Sequence, residues 1–303
     1  MLLLNVLFAI VSAITPFFPT ATTVSYLSND AIRSDRAVSV TSSGLFPTKK
    51  DAASLGPRLS ATSAIVVDAA SGAVLFQKNP HKVWPMASIT KLATALVFLD
   101  ATPNAETLFT MEESDDREGG EEFIRPGESA KLRDFLIASL LGSANNATIS
   151  LSRSVDPDMN TFVALMNKKA SLLGMRDTVF TEPSGLSAEN TSTAYDIVRL
   201  LAGVADYEAI TASTGTNRAV ITVRPSGSRR IVLTTNHLMG SIVFVEYGKT
   251  GHLDESLYNL ATTVGTHQGH TLYIVTLGSE TNEDRVQDAK NLAVWAENTY
   301  AWK

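Results

Sequence analysis

The chain contains no cysteine. That removes disulfides, thiolate catalysis, Cys-ligated metals and a lipidated N-terminal Cys, although it does not by itself fix a compartment. Charge is sparse as well. Only 18% of residues are charged, and 25 Lys and Arg against 31 Asp and Glu give a net charge of −6. This balance offers no general attraction to phosphate backbones, so nucleic acid is not expected as a partner. No Gly-x-Ser-x-Gly elbow occurs, which argues against an α/β-hydrolase triad. Among only five histidines, His267-Gln-Gly-His270 is the one pair with a metal-like spacing. It sits in a Gly-bounded turn between two strand-prone runs without a third ligand pattern nearby, and reads as a solvent-facing hairpin loop. The acidic run Glu112 to Glu122 lacks the spacing of a Ca²⁺ loop and reads as a solvated loop. Neither a metal nor a cofactor is expected.

Apolar residues are plentiful: they make up 44% of 303 residues, enough to bury one large domain or two coupled lobes. The segment Leu2 to Phe18 is a 17-residue run whose only polar members are Asn5, Ser12 and Thr15. Its length lies between a signal-peptide core and a full span, and no Lys or Arg precedes it. Residues 1–19 are therefore read as a signal or membrane anchor. This puts the protein outside the cytoplasm, in the cell envelope, held to the membrane through its N-terminal segment or secreted. Residues 20–59, rich in Ser, Thr and Ala and without sustained periodicity, read as a flexible tether. The folded domain is expected over 60–303.

Within that domain, Ala64 to Asp68 and Ala73 to Gln77 are β-prone runs joined by Ala69-Ala-Ser-Gly72, a hairpin pattern. A nearly all-apolar helix follows Ser88. Between Lys131 and Gly174 two helical stripes appear, one with Leu132, Phe135, Leu136 and Leu140 and another with Phe162, Leu165, Met166 and Leu173. Strand character returns at Arg218 to Val223, Ile231 to Thr235, Leu257 to Val264 and Thr271 to Leu277, before a terminal helix from about Glu283 to Trp302. Strands early and late with helices between predict an α+β fold. Both chain ends supply a mainly antiparallel sheet flanked by helices, with an all-helical lobe inserted at about 100–210.

Three polar clusters interrupt apolar surroundings. In Ser88-Ile-Thr-Lys91 the serine and lysine are i, i+3 neighbours at the start of a buried helix. A serine nucleophile needs a base within hydrogen-bond reach, and a lysine can serve if its pKa falls from about 10.4 to about 7, at a cost of roughly 5 kcal/mol. Desolvation and a second nearby cation are the expected sources. Taken alone, the pair also fits a helix cap with a snorkelling lysine. In Leu140-Leu-Gly-Ser-Ala-Asn-Asn146, Ser143 and Asn145 lie at a helix-to-helix junction, where a plain cap is the simpler reading. In Glu246-Tyr-Gly-Lys-Thr-Gly-His252 a Gly-flanked Lys-Thr leads towards a strand, and alone it reads as a surface loop. Ser-x-x-Lys, Ser-x-Asn and Lys-Thr-Gly each occur once, in that order, at spacings of 55 and 106 residues. This ordered set is the signature of penicillin-binding proteins and class A β-lactamases.

The chain most resembles the serine-type D-alanyl-D-alanine carboxypeptidases, low-molecular-mass penicillin-binding proteins, from about Ala61 to Trp302. The likeness extends through Pro85-Met-Ala-Ser-Ile-Thr-Lys91, Arg125-Pro-Gly-Glu128, Phe162-Val-Ala-Leu-Met-Asn-Lys168, Leu173-Gly-Met175 and Phe180-Thr-Glu-Pro-Ser-Gly-Leu186. The resemblance implies a β-lactamase/DD-peptidase-like fold and peptidoglycan stem peptides as substrate, with β-lactams as inhibitors. By it, Ser88 is the nucleophile, Lys91 its base and Ser143 a proton relay. Asn145 holds the substrate amide, and Lys249 with Thr250 the terminal carboxylate. The backbone N–H groups of Ser88 and of His252, beyond Gly251, form the oxyanion hole. The resemblance also makes Lys249 the second cation near Lys91. Where many relatives have an aspartate, this chain has Asn146. Many relatives also carry a second, β-rich domain and a C-terminal amphipathic anchor, so the expected membrane attachment here is N-terminal. A DD-endopeptidase cutting peptide cross-links is the alternative. A β-lactamase would have to recruit Glu182 for deacylation, and a wall-peptide-binding protein without activity would show an eroded motif.

Overall fold

The computed structural model describes residues 46–101 and 104–302. The segment read as a signal or anchor, and most of the tether, lie outside the described residues.

The longer elements begin with β1 (Ser63–Asp68) and β2 (Val74–Lys78), followed by α1 (Thr90–Ala101), α2 (Leu132–Leu140), α3 (Asn145–Val155) and α4 (Met159–Leu172). Next come α5 (Ala194–Val204), α6 (Glu208–Thr214) and a two-stranded ladder of β3 (Arg218–Thr222) with β4 (Arg229–Leu233). The last of the longer elements are β5 (Phe244–Leu253), β6 (Leu257–Gly265), β7 (Thr271–Ser279) and α7 (Asn282–Thr299). Five strands form one antiparallel sheet in the order β5-β6-β7-β1-β2, which joins the two ends of the described chain. The fold is α+β.

The run Ser63-Ala-Ile-Val-Val-Asp68 is buried at every position because both faces of the sheet are covered. Ala64 and Val66 point to one face and meet Leu292, Ala293 and Ala296 of α7, while Ile65 and Val67 point to the other and join the core of the helical lobe. At the centre of that lobe α1 is buried from Thr90 through Phe98. A helix without a solvated face needs packing all round, and α2, α3, α4 and α5 supply it. Its N-terminal turn emerges beneath β5, an edge strand of the sheet.

One expectation, and one reading of a motif taken in isolation, need correction. The fold reaches back beyond Ser60 into the stretch read as tether: Thr48 and Lys49 pair antiparallel with Ala301 and Tyr300, and Trp295 donates its indole N–H to Ser54 Oγ at 2.8 Å. The aromatic partners that order these residues lie some 240 positions away in sequence, so local composition could not reveal them. In addition, Phe244 to Leu253, whose Lys-Thr-Gly segment reads alone as a surface loop, is a ten-residue strand with His252 opposite Tyr258 and Lys249 opposite Ala261.

Candidate active site

The site forms where the lobe meets the sheet. Met86 to Thr90 is a tight 3₁₀ turn leading into α1, with Ala87 in the left-handed region at φ +49°. Non-glycine residues occupy that region at a cost of about 1–2 kcal/mol, and close contacts on both sides hold this one there. Gly185 (φ +85°) passes so near that a Cβ there would lie 2.1 Å from the Ala87 carbonyl oxygen. From the other side Gly251 of β5 approaches, and its Cβ would sit 2.7 Å from the Met86 carbonyl and 3.2 Å from the Ser88 nitrogen. Two glycines thus let two backbones close on the serine, which is half-buried at the floor of a cleft of ≈ 670 Å³.

Lys91 Nζ lies 2.9 Å from Ser88 Oγ and donates also to Asn145 Oδ1 at 2.7 Å and to the Ser184 carbonyl. The side chain is 0% exposed, so the snorkelling reading fails and the ammonium has no water to solvate it. Burial lowers its pKa to about 7, against a weaker upward pull from the Glu182 carboxylate. Lys91 is also the second residue of α1, where the helix dipole opposes positive charge. An amine poised between its two forms at neutral pH can accept and return a hydroxyl proton.

Ser143 follows Gly142 at φ +60°, and its hydroxyl receives a hydrogen bond from Lys249 Nζ at 2.9 Å. The hydroxyl does not cap α3, whose N-cap is Ala144, and this removes the plain-cap reading. Lys249 is 1% exposed and also donates to the Thr250 carbonyl. Burial, then repulsion from Lys91 and Arg285, holds its pKa well below the usual lysine value. The electrostatics therefore differ from expectation: burial, not a second cation, is the main cause of the Lys91 shift, and the repulsion falls on Lys249.

Asn145 links the two sides of the cleft. Its Oδ1 accepts from Lys91, and its Nδ2 donates to the carbonyls of Gly119 at 2.8 Å and Glu118 at 3.2 Å. The acidic loop is thereby drawn to the rim of the cleft. Thr250 Oγ1 lies 2.6 Å from Thr235 Oγ1, and His252 keeps its ring outside, stacked on Tyr258 at 4.1 Å, while both residues line the cleft. All eight residues named from the sequence thus converge: Ser88, Lys91, Ser143, Asn145, Lys249, Thr250, Gly251 and His252.

Sequence reasoning missed Arg285. From α7 its guanidinium reaches the Gly251 carbonyl at 3.2 Å, bonds Asn282 Oδ1, and lines the cleft beside Thr250. A single arginine in a terminal helix carries no local signal, since such residues ordinarily face water. Asn146, at the position where relatives often have an aspartate, donates to the Ile124 carbonyl at 3.1 Å, a bond that a carboxylate could not make. Both oxygens of Glu182 are spent on its own loop, accepting from Ser184 N and Oγ, Gly185 N and Asn190 Nδ2. His267 pairs with Glu297 and His270 stacks on Trp302.

Residues 49–281 match the D-alanyl-D-alanine carboxypeptidase family, peptidase S11. The chain is 34% identical over 256 residues to a D-alanyl-D-alanine endopeptidase of Pseudomonas aeruginosa, covering 83% of this chain and 82% of that protein. It is 29% identical over 248 residues to a D-alanyl-D-alanine carboxypeptidase of Bacillus subtilis, covering 79% of this chain and 63% of that protein. The fold is that of the Streptomyces K15 DD-transpeptidase, at TM-score 0.76 and 21% identity over 80% of this chain and 98% of that one. The match over most of its length, joined to three motifs that meet in one cleft, makes this chain a member of the D-alanyl-D-alanine carboxypeptidase family.

Proposed function

We propose that the protein is a serine-type DD-carboxypeptidase that removes the terminal D-Ala from peptidoglycan stem peptides through an acyl-enzyme on Ser88. The observation that carries this reading is the buried Lys91, its pKa near 7, at 2.9 Å from Ser88 Oγ. Neutral Lys91 takes the hydroxyl proton as Oγ attacks the carbonyl carbon of the penultimate D-Ala. The oxyanion forms between the backbone N–H groups of Ser88 and His252, the kind of preorganised donor pair usually worth most to catalysis. The carboxylate of the departing D-Ala lies against Lys249 and Thr250, with Asn145 on the substrate amide. Collapse of the tetrahedral adduct breaks the C–N bond, and the proton held by Lys91 reaches the leaving amine through the Ser143 hydroxyl, which gives up its own proton as it takes this one and is bonded to Lys249. Neutral again, Lys91 accepts a proton from the water that attacks the ester and gives it to Ser88 Oγ as the acyl–oxygen bond breaks. Arg285 acts as a positioning residue that fixes the Gly251 carbonyl and adds positive charge near the carboxylate.

A β-lactam presents a strained amide to the same serine and acylates it, acting as an inhibitor. Efficient β-lactam hydrolysis would need a carboxylate free to activate water, and the loop bonds of Glu182 speak against that residue. The protein acts in the cell envelope, with Leu2 to Phe18 as its membrane attachment or export signal; among the described residues no helix is long and apolar enough to cross a membrane.

A DD-endopeptidase reading has one specific observation in its favour: of the two relatives named above, the endopeptidase is the more similar, at 34% against 29% identity. The same chemistry applies, with the rest of a cross-linked peptide as leaving group. Supplying pentapeptide and cross-linked dimer separately to the purified protein distinguishes the two. The expected result is free D-Ala from pentapeptide as the dominant product; rapid dimer cleavage without D-Ala release would transfer the assignment to the endopeptidase.

A further inference from the structure

The ladder of β3 and β4 lies outside the chemistry, yet its outer face is built against the charge of the whole. Its register sets Arg218 opposite Leu233, Val220 opposite Ile231 and Thr222 opposite Arg229. Alternation buries Ile221 and Val232 beneath the ladder and turns Val220, Ile231 and Leu233 outwards, 36%, 53% and 60% exposed. Exposed Arg218 and Arg229 flank this apolar strip, and exposed Arg224 stands at the turn. From Arg218 to Leu233 there are four arginines and no acidic residue, in a chain of net charge −6. Arg230 turns inwards to the Glu128 carboxylate and the Phe123 carbonyl. Arg218, Arg224 and Arg229 form no ion pair among the described residues.

We propose that this face docks on a bilayer surface rich in anionic headgroups. An apolar strip bordered by unpaired arginines has the composition of an interfacial element: its alkyl groups enter the headgroup boundary while the guanidinium groups meet phosphate. A hydrated wall polyanion would use the arginines but leave Ile231 and Leu233 in water. Stable peripheral attachment takes two signals, and where Leu2 to Phe18 stays with the chain as an anchor it supplies the other. Two residues beyond Leu233, Thr235 bonds Thr250 in the cleft, so docking holds the cleft within a hairpin's length of the headgroups, ~17 Å at about 3.3 Å per residue. The inference rests on the envelope placement proposed above and not on the catalytic assignments.

Because the chain lacks cysteine, a single Ile231→Cys substitution accepts one polarity-sensitive fluorophore in the full-length protein. With vesicles of phosphatidylcholine containing phosphatidylglycerol, its emission should shift to the blue. With phosphatidylcholine alone it should not, and 1 M salt, which shortens the Debye length to about 3 Å, should reverse the shift. Arg218→Gln with Arg229→Gln should lower the docked-to-undocked ratio by about 30-fold. The same label at Leu172→Cys, 74% exposed at the end of α4, should not respond. An unshifted Ile231 label on anionic vesicles overturns the proposal, as does an equal shift at Leu172, or a shift that appears only on adding soluble peptidoglycan fragments or another protein. Acylation of the same samples by a fluorescent penicillin reports the catalytic reading separately and verifies that the variants are folded.

Discussion

Replacing Lys91 by Met removes the base, and it also removes a buried group that opposes folding. In the unfolded chain this lysine has a pKa near 10.5; in the folded protein it is near 7. Between those values the unfolded state binds more protons than the native state, so the lysine's contribution to stability rises with pH, by about 1.4 kcal/mol per unit. Its full cost, roughly 4–5 kcal/mol, is present below pH 7 and fades towards 10.5. Three hydrogen bonds, to Ser88, Asn145 and Ser184, offset most of it at about 1 kcal/mol or somewhat more each. The net effect at one pH is therefore small, and its pH dependence is the informative quantity. Urea unfolding of wild type and Lys91→Met at pH 7, 8 and 9 should show the wild type gaining on the variant by about 1 kcal/mol over the first unit, where the folded lysine is half-titrated, and about 1.3 kcal/mol over the second, roughly 2.3 kcal/mol in all. Released repulsion on Lys249 changes the slope in part but not its sign. A stability difference constant across this range would mean that Lys91 titrates as an ordinary lysine, and the account of its activation would fail.

Lys249→Gln should weaken substrates ending in a free carboxylate far more than their amidated analogues, by a charge-assisted contact of about 2–3 kcal/mol or 30- to 150-fold in kcat/KM; equal losses for both substrates would exclude the carboxylate role. Gly185→Ala places a methyl 2.1 Å from the Ala87 carbonyl at a φ of +85°, so the turn carrying Ser88 must move. Penicillin acylation should fall by at least tenfold, with a loss of stability of about 1–3 kcal/mol, and unaltered acylation kinetics would show that the turn does not depend on that approach.

Much of this architecture can be read from sequence because each signal is local. The apolar run Ala64 to Val67 within β1 reads as a strand buried on both faces, the helical stripes and the strands β6 and β7 declare their period, and the three motifs announce themselves by residue type and order. What escaped is long-range. The Lys-Thr-Gly stretch of β5 has two glycines and a lysine that argue against a strand; it becomes one by pairing with β6, and its glycine is there because another backbone approaches within van der Waals distance. Arg285 enters the cleft only because α7 packs across the sheet. The start of the fold near Thr48 depends on Trp295 and Tyr300 at the other end of the chain. The depressed pKa of Lys91 was legible as a requirement, but its cause, complete burial under the loop of Ser184, needs three dimensions.

The central claim is that Ser88 becomes covalently acylated, and mass spectrometry of the intact protein and its peptides after exposure to a penicillin tests it most directly. The account predicts one adduct per chain, located on the peptide that contains Ser88, absent from Ser88→Ala, and formed faster as pH rises through about 7 while Lys91 loses its proton. An adduct on Ser143 or any other residue, or acylation that survives in Ser88→Ala, would contradict it.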